Sequence, residues 1–235
     1  MTVDEFRGQG STSTAGNDQA AGRAVGWADP ARAIAFSDGV LAIIITLLVL
    51  DLRPPDSQSG QLLTSLLNQW PTYLAYIASY LYVGVVWTNH KAVFRHIRAM
   101  DTGLHWVNLA VLFTTGLLPF PTAVMAEAIG GGNLADEQTA VGLYALIGTV
   151  LCVSWLLFFH YLSRHPEVLQ REDDDVFFAN ERLRAVVGAA LYAIAGVLGY
   201  LITPALALAI FIALPIFYAI TSEGLDRLPS RKRRS

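Results

Sequence analysis

Six apolar blocks dominate the chain, and each is close to the roughly 20 residues a helix needs to cross the hydrocarbon core of a bilayer. They run at about 33–52, 65–90, 104–128, 140–163, 183–202 and 204–222. Apolar residues make up 54% of the 235 residues and charged residues only 15%, whereas soluble domains carry about 25% charged residues. Short segments of alternating polarity, the mark of a membrane β-barrel, are absent. The expected fold class is therefore all-α: a polytopic membrane protein with six transmembrane helices per subunit and both termini cytoplasmic.

The positive charges support that count. With the N-terminus inside and six alternating spans, fifteen of the sixteen Lys and Arg residues fall on the inner side and only Arg53 falls outside. One helix more or fewer destroys this partition. Residues 1–30 are rich in Gly, Ser, Thr and Ala without apolar periodicity, which predicts a disordered cytoplasmic tail. That tail lacks the apolar centre of a signal peptide, so no cleavage is expected. Residues 31–222 form the six-helix transmembrane domain, and 223–235 a basic cytoplasmic tail ending in "RKRR". The acidic run in "REDDDVFFANERLR" reads as a solvated inner loop. Cys152, the single cysteine, lies inside the fourth block as a buried filler. "PFPT" at 119–122 predicts a kink in the third block, and Pro204 a break between the fifth and sixth.

The first block, "AFSDGVLAIIITLLVL" at 35–50, places an acid in a greasy helix. An aspartate costs about 2.5–3.5 kcal/mol near the centre of a membrane helix on insertion scales. Phe36, Val40, Ile43, Leu47 and Leu50 recur at helical spacing and form one narrow apolar stripe, with Thr46 close beside it. That stripe suits either a shared axis or ordinary helix packing and lipid contact. Asp38 points well away from it, so acid and stripe have separate tasks. Asp38 also lies only a turn or two from Arg32, near the inner surface. The second block ends there with "VVWTNHK", bringing Trp87, Asn89 and His90, and the third begins there with "LHWVNLA", bringing His105, Trp106 and Asn108. An acid among histidines, an asparagine and indole N–H groups can be fully hydrogen-bonded. The expectation is a polar clasp that holds the first helix to its own subunit.

These residues resemble a known family. "RAIAFSDGVLAIIITLLVLDLRPP" at 32–55 is similar to the signature of the transmembrane protein 175 family of potassium channels: Arg, three residues, Phe-Ser-Asp, then Ala-Ile-x-x-Thr-Leu-Leu. The likeness continues through "VVWTNHKAVF" (85–94) and "HWVNLAVLFTTGLLPFPTAV" (105–124). The resemblance implies a homotetramer of six-helix subunits with a potassium-selective pore lined by the four first helices. It implies an apolar constriction at Ile43, Leu47 and Leu50, with selectivity from Thr46. It also implies a structural polar network of Arg32, Phe36, Ser37, Asp38, Trp87, His90, His105 and Asn108. The chain has no "TVGYG"-type run, so a carbonyl filter is not expected.

The alternative is a cation- or proton-coupled secondary transporter using Asp38. Against it, blocks one to three and four to six share no repeated motif. No enzyme is expected, because HExxH, CxxC and GxSxG patterns are missing. No cofactor and no metal beyond permeating potassium are expected. The expected partners are potassium ions, the lipid bilayer and further copies of the chain, not nucleic acid. The expected location is a multi-pass place in a bacterial plasma membrane.

Overall fold

The structure, a computed structural model, describes residues 28–170 and 175–221. The N-terminal tail, the acidic front of the inner loop and the terminal basic run lie outside the described residues. Eight α-helices occur among the described residues, with two isolated β-bridges. They are α1 (Pro30–Leu47, continued by a 3-10 turn over Leu48–Asp51), α2 (Leu62–Asn68), α3 (Trp70–Phe94), α4 (Thr102–Leu117), α5 (Pro119–Gly131), α6 (Leu134–Arg164), α7 (Asp175–Leu201) and α8 (Pro204–Thr221). Four stretches are long and apolar enough to cross a membrane: Pro30–Asp51, Thr102–Gly131, Leu134–Arg164 and Phe177–Leu201. Pro204–Tyr218 is apolar but shorter.

Local chemistry sets the ends of these helices. Asp29 caps α1, its Oδ1 accepting from Ala31 N at 2.8 Å, with Pro30 in the first turn where its missing N–H is no loss. Asp101 caps α4 through Leu104 N at 2.7 Å, and Asn133 caps α6 through Ala135 N at 3.0 Å. Gly132 ends α5 in the left-handed conformation, φ 65°, which a glycine adopts without steric cost. Pro119 separates α4 from α5 and Pro204 separates α7 from α8, each ring removing an N–H donor and crowding the carbonyl one turn back.

Two apolar clusters fill the interior. One includes Leu41 and Ile44 of α1, Tyr82 and Val83 of α3, Leu151 of α6, Tyr192 of α7 and Phe211 of α8. The other gathers Val93, Phe94, Ile97, Met100, Leu104, Phe158 and Leu162 at the opposite end. Backbone bonds stitch that end together: Ala28 and Met100 exchange N–H donors at 2.8 and 2.9 Å, and Gln170 N donates to His96 O at 2.8 Å. Between α6 and α7 the helices approach closely at glycines. A Cβ on Gly148 would lie 2.6 Å from the Tyr192 ring, and one on Gly196 would collide with Ala145. In lipid the hydrophobic effect does not press helices together, so such close van der Waals contact carries the association. The first helix lies at the edge of this bundle, against α3 and α4.

Candidate functional site

The first helix divides its surface three ways. At about 100° per residue, Ala33, Ser37, Leu41, Ile44 and Leu48 form the stripe that is buried against the subunit. A second stripe holds the large apolar side chains of Phe36, Ile43, Leu47 and Leu50, yet they are 54%, 59%, 52% and 65% exposed. A third stripe, nearly opposite the buried one, holds only small residues: Ala35, Gly39, Ala42 and Thr46, all exposed. Thr46 Oγ1 donates to Ile43 O at 2.9 Å. Its proton is thereby occupied, and the oxygen lone pairs are left to accept from water or to face a cation.

Near the N-terminal end of α1, polar side chains from three helices meet. Ser37 is fully buried and accepts from Asn108 Nδ2 at 3.0 Å. His90 Nε2 donates to Asn108 Oδ1 at 2.8 Å, and the imidazole stacks on Phe94 with centroids 4.2 Å apart. Asn108 thus joins α1 to α3 through both ends of its amide. Asp38 makes a separate link, its Oδ1 accepting from Trp87 Nε1 at 2.8 Å. The Trp87 ring also lies 4.3 Å from Lys91 Nζ, a cation–π contact.

The arrangement differs from a single acid-centred cluster. Consecutive helical residues point about 100° apart, so Ser37 and Asp38 address different neighbours. No histidine reaches Asp38 among the hydrogen bonds of the described residues; His105 Nδ1 instead donates to Asp101 O at 2.7 Å, back onto its own helix start. Trp106 is exposed. Arg32 and Phe36 are exposed too, and with Ala33, His105 and Asn108 they line a cavity of about 460 Å³. Asp101, which composition did not mark, ties this layer to α6: its Oδ2 accepts from Tyr161 Oη at 2.6 Å. An aspartate just before an apolar helical run is an N-cap signal, and that signal was available in the sequence.

These three elements are the ones that comparison with known proteins picks out. The family described as "Endosomal/lysosomal potassium channel TMEM175" matches residues 32–119. A potassium channel of Streptomyces collinus is 33% identical over 195 residues, covering 83% of this chain and 87% of that protein. The chain belongs to the TMEM175 family. It is a multi-pass membrane protein of that fold. The crystal structure of a lysosomal potassium-selective channel TMEM175 homolog from Chamaesiphon minutus superposes with a TM-score of 0.70 at 30% identity, covering 82% of this chain and 97% of that one. The human protein named endosomal/lysosomal proton channel TMEM175 is 38% identical over 97 residues, which is 37% of this chain and 19% of that protein. The TMEM175 match at 32–119 spans α1, α3 and α4, the helices that carry the open stripe of α1 and the buried Ser37–Asn108–His90 link.

Proposed function

We propose that this chain is one subunit of a homotetrameric potassium-selective channel, with the four α1 helices around a central axis. The observation that carries the reading is the open apolar stripe of α1. More than half of Phe36, Ile43, Leu47 and Leu50 is uncovered on a helix that is packed and hydrogen-bonded into the subunit along another stripe. One helix cannot enclose a path for ions, whereas closed rotational assembly places copies of the same stripe around an axis. Rings of Ile43, Leu47 and Leu50 then form an apolar constriction that hinders hydrated ions and closes by dewetting. Thr46 sits beside it with free lone pairs and contributes selectivity by replacing part of the hydration shell.

In this reading residues 31–222 make six spans, α3 and α8 completing the four long apolar ones, with both tails cytoplasmic and the protein in the cell membrane. The links from Ser37 and Asp38 hold α1 at a set angle; Arg32, Phe36 and His105 complete the inner end where subunits meet. Asp38 lies off the open stripe and is engaged by Trp87, which favours an anchoring role over ion coupling.

Purified protein in liposomes with a potassium gradient tests this. Potassium should move down its own gradient without a proton gradient, and faster than sodium. Because the human relative is named a proton channel, proton flux is measured in the same vesicles. Ile43→Ser should raise resting flux and narrow the difference between potassium and sodium, while Ile45→Ser, on the packed side, should not. Potassium movement that requires protons in fixed ratio would establish the coupled transporter instead. A leak from Ile45→Ser with none from Ile43→Ser would put a different side of α1 on the axis.

A further inference from the structure

Beyond the far end of the constriction stripe, a cavity of about 400 Å³ opens between α1, α3 and α5. Its walls carry Asp51 and Arg53 just after α1, Thr72, Tyr76 and Ser79 of α3, and Glu127 of α5. Gln69 Nε2 donates to Arg53 O at 3.2 Å and so ties the chain after α1 to the start of α3. The carboxylates of Asp51 and Glu127 pair with no described residue, and neither does the Arg53 guanidinium. Ser79 is 3% exposed, and its hydroxyl has no hydrogen-bond partner among the described residues. A buried hydroxyl left unpaired costs about 1–3 kcal/mol. The cavity it lines has room for water or a hydrated ion, since a single water needs only about 10–15 Å³.

The donor set selects the occupant. Every side-chain donor atom on offer is oxygen, apart from the one guanidinium, so soft metals are disfavoured. Two carboxylates against one guanidinium leave a single negative charge, which matches a monovalent cation better than a divalent one. Asp51 directly follows Leu50 in the sequence and closes the short turn that extends α1. On the channel reading above, a cation held here stands just past Leu50, at the mouth away from the Ser37–Asn108 layer.

We propose that this cavity is a cation-holding antechamber: it takes a hydrated monovalent cation with Asp51 and Glu127 as counter-charges and the hydroxyls of Thr72, Tyr76 and Ser79 as oxygen neighbours. The inference rests on the channel reading above. By concentrating cations beside the constriction, the antechamber supports inward current where external potassium is scarce.

Two measurements on the full channel test it. The first is unitary inward potassium current at about 0.01 M and about 1 M salt, where the screening length falls from about 30 Å to about 3 Å. Glu127→Gln and Asp51→Asn should each lower the current about twofold in low salt, Arg53→Gln should raise it about twofold, and all three differences should vanish in high salt. Asp136→Asn, on the exposed first turn of α6 and outside the cavity, should change nothing. Should Glu127→Gln fail to assemble, Glu127→Asp must restore the low-salt current. The second measurement is rubidium in crystals of the full channel, located by anomalous scattering: a peak in the cavity, lost in Glu127→Gln. A current loss equal at both ionic strengths, or an equal loss from Asp136→Asn, overturns the proposal. So does a peak that is absent in the wild type or retained in Glu127→Gln. Normal potassium current without the peak removes the antechamber alone, whereas the peak without potassium current removes the channel reading and leaves the cation site.

Discussion

Asn108 spends both ends of its buried amide on side chains of neighbouring helices. It is 3% exposed, donates to Ser37 and accepts from His90, so deleting it strands two further buried groups. Removing one partner from a buried hydrogen-bonded group costs about 1–3 kcal/mol. Asp38 is only half-buried, and its loss strands just the Trp87 indole N–H, itself at the partly wet edge of the bundle. Asn108→Ala should therefore destabilise the detergent-solubilised protein by about 1 kcal/mol or more beyond Asp38→Ala, which thermal unfolding reads as a lower midpoint. If Asp38→Ala proves the more damaging, the Trp87 link bears more of the load than the buried chain. The sequence signalled both links through polar residues in apolar helices. It did not signal which acceptor each donor would choose, because that depends on rotations of whole helices.

At the scale of elements, α6 and α7 depend on the absence of side chains at particular turns. Tyr192 is fully buried and stacks near Tyr144 and Phe211, so it cannot retreat from a methyl group at position 148. Gly148→Ala should cost about 1–3 kcal/mol by overpacking. Gly142 lies on the same helix, and a Cβ there would meet nothing within 4 Å. Gly142→Ala should leave stability unchanged or raise it by about 0.5–1 kcal/mol, the usual preference for alanine in a helix. Thermal unfolding of the two variants side by side checks the contrast. Equal effects would mean that α6 and α7 are held apart from the contact at Tyr192. Sequence alone shows both glycines as the same letter in the same block.

At the scale of the molecule, the stripe of Ala35, Gly39, Ala42 and Thr46 has no counterpart within the subunit. Small exposed residues at helical spacing let a second helix approach closely in lipid. In the proposed tetramer Ala35, Gly39 and Ala42 meet the neighbouring subunit, while the bulky stripe about 80° round the helix meets the axis, with Thr46 at the edge between the two. Gly39→Leu discriminates well, because a Cβ at Gly39 touches nothing within 4 Å in the single chain. Helix propensity even improves by about 0.8 kcal/mol. The variant should fold as a subunit yet fail to assemble, giving a smaller particle by size-exclusion chromatography with light scattering. A full-size, stable assembly would place the neighbouring subunit against another part of α1.

The apolar blocks, the proline interruptions at 119–122 and 204 and the arginine-to-leucine signature of the first helix were all readable from the chain. Each is a local matter: hydropathy and backbone geometry act over one or two turns. The open stripe of α1 was readable as a stripe, since helical periodicity places Ile43, Leu47 and Leu50 together wherever the helix goes. That it faces away from the subunit was decided only in three dimensions, by Leu41, Ile44 and Leu48 filling the space beside α3 and α4. The same holds for the pairing of Ser37 with Asn108 and of Asp38 with Trp87, and for the cavity joining Asp51 to Glu127. Such contacts link residues tens of positions apart, and no local preference specifies them; they follow from how far each helix turns to bury its own best face.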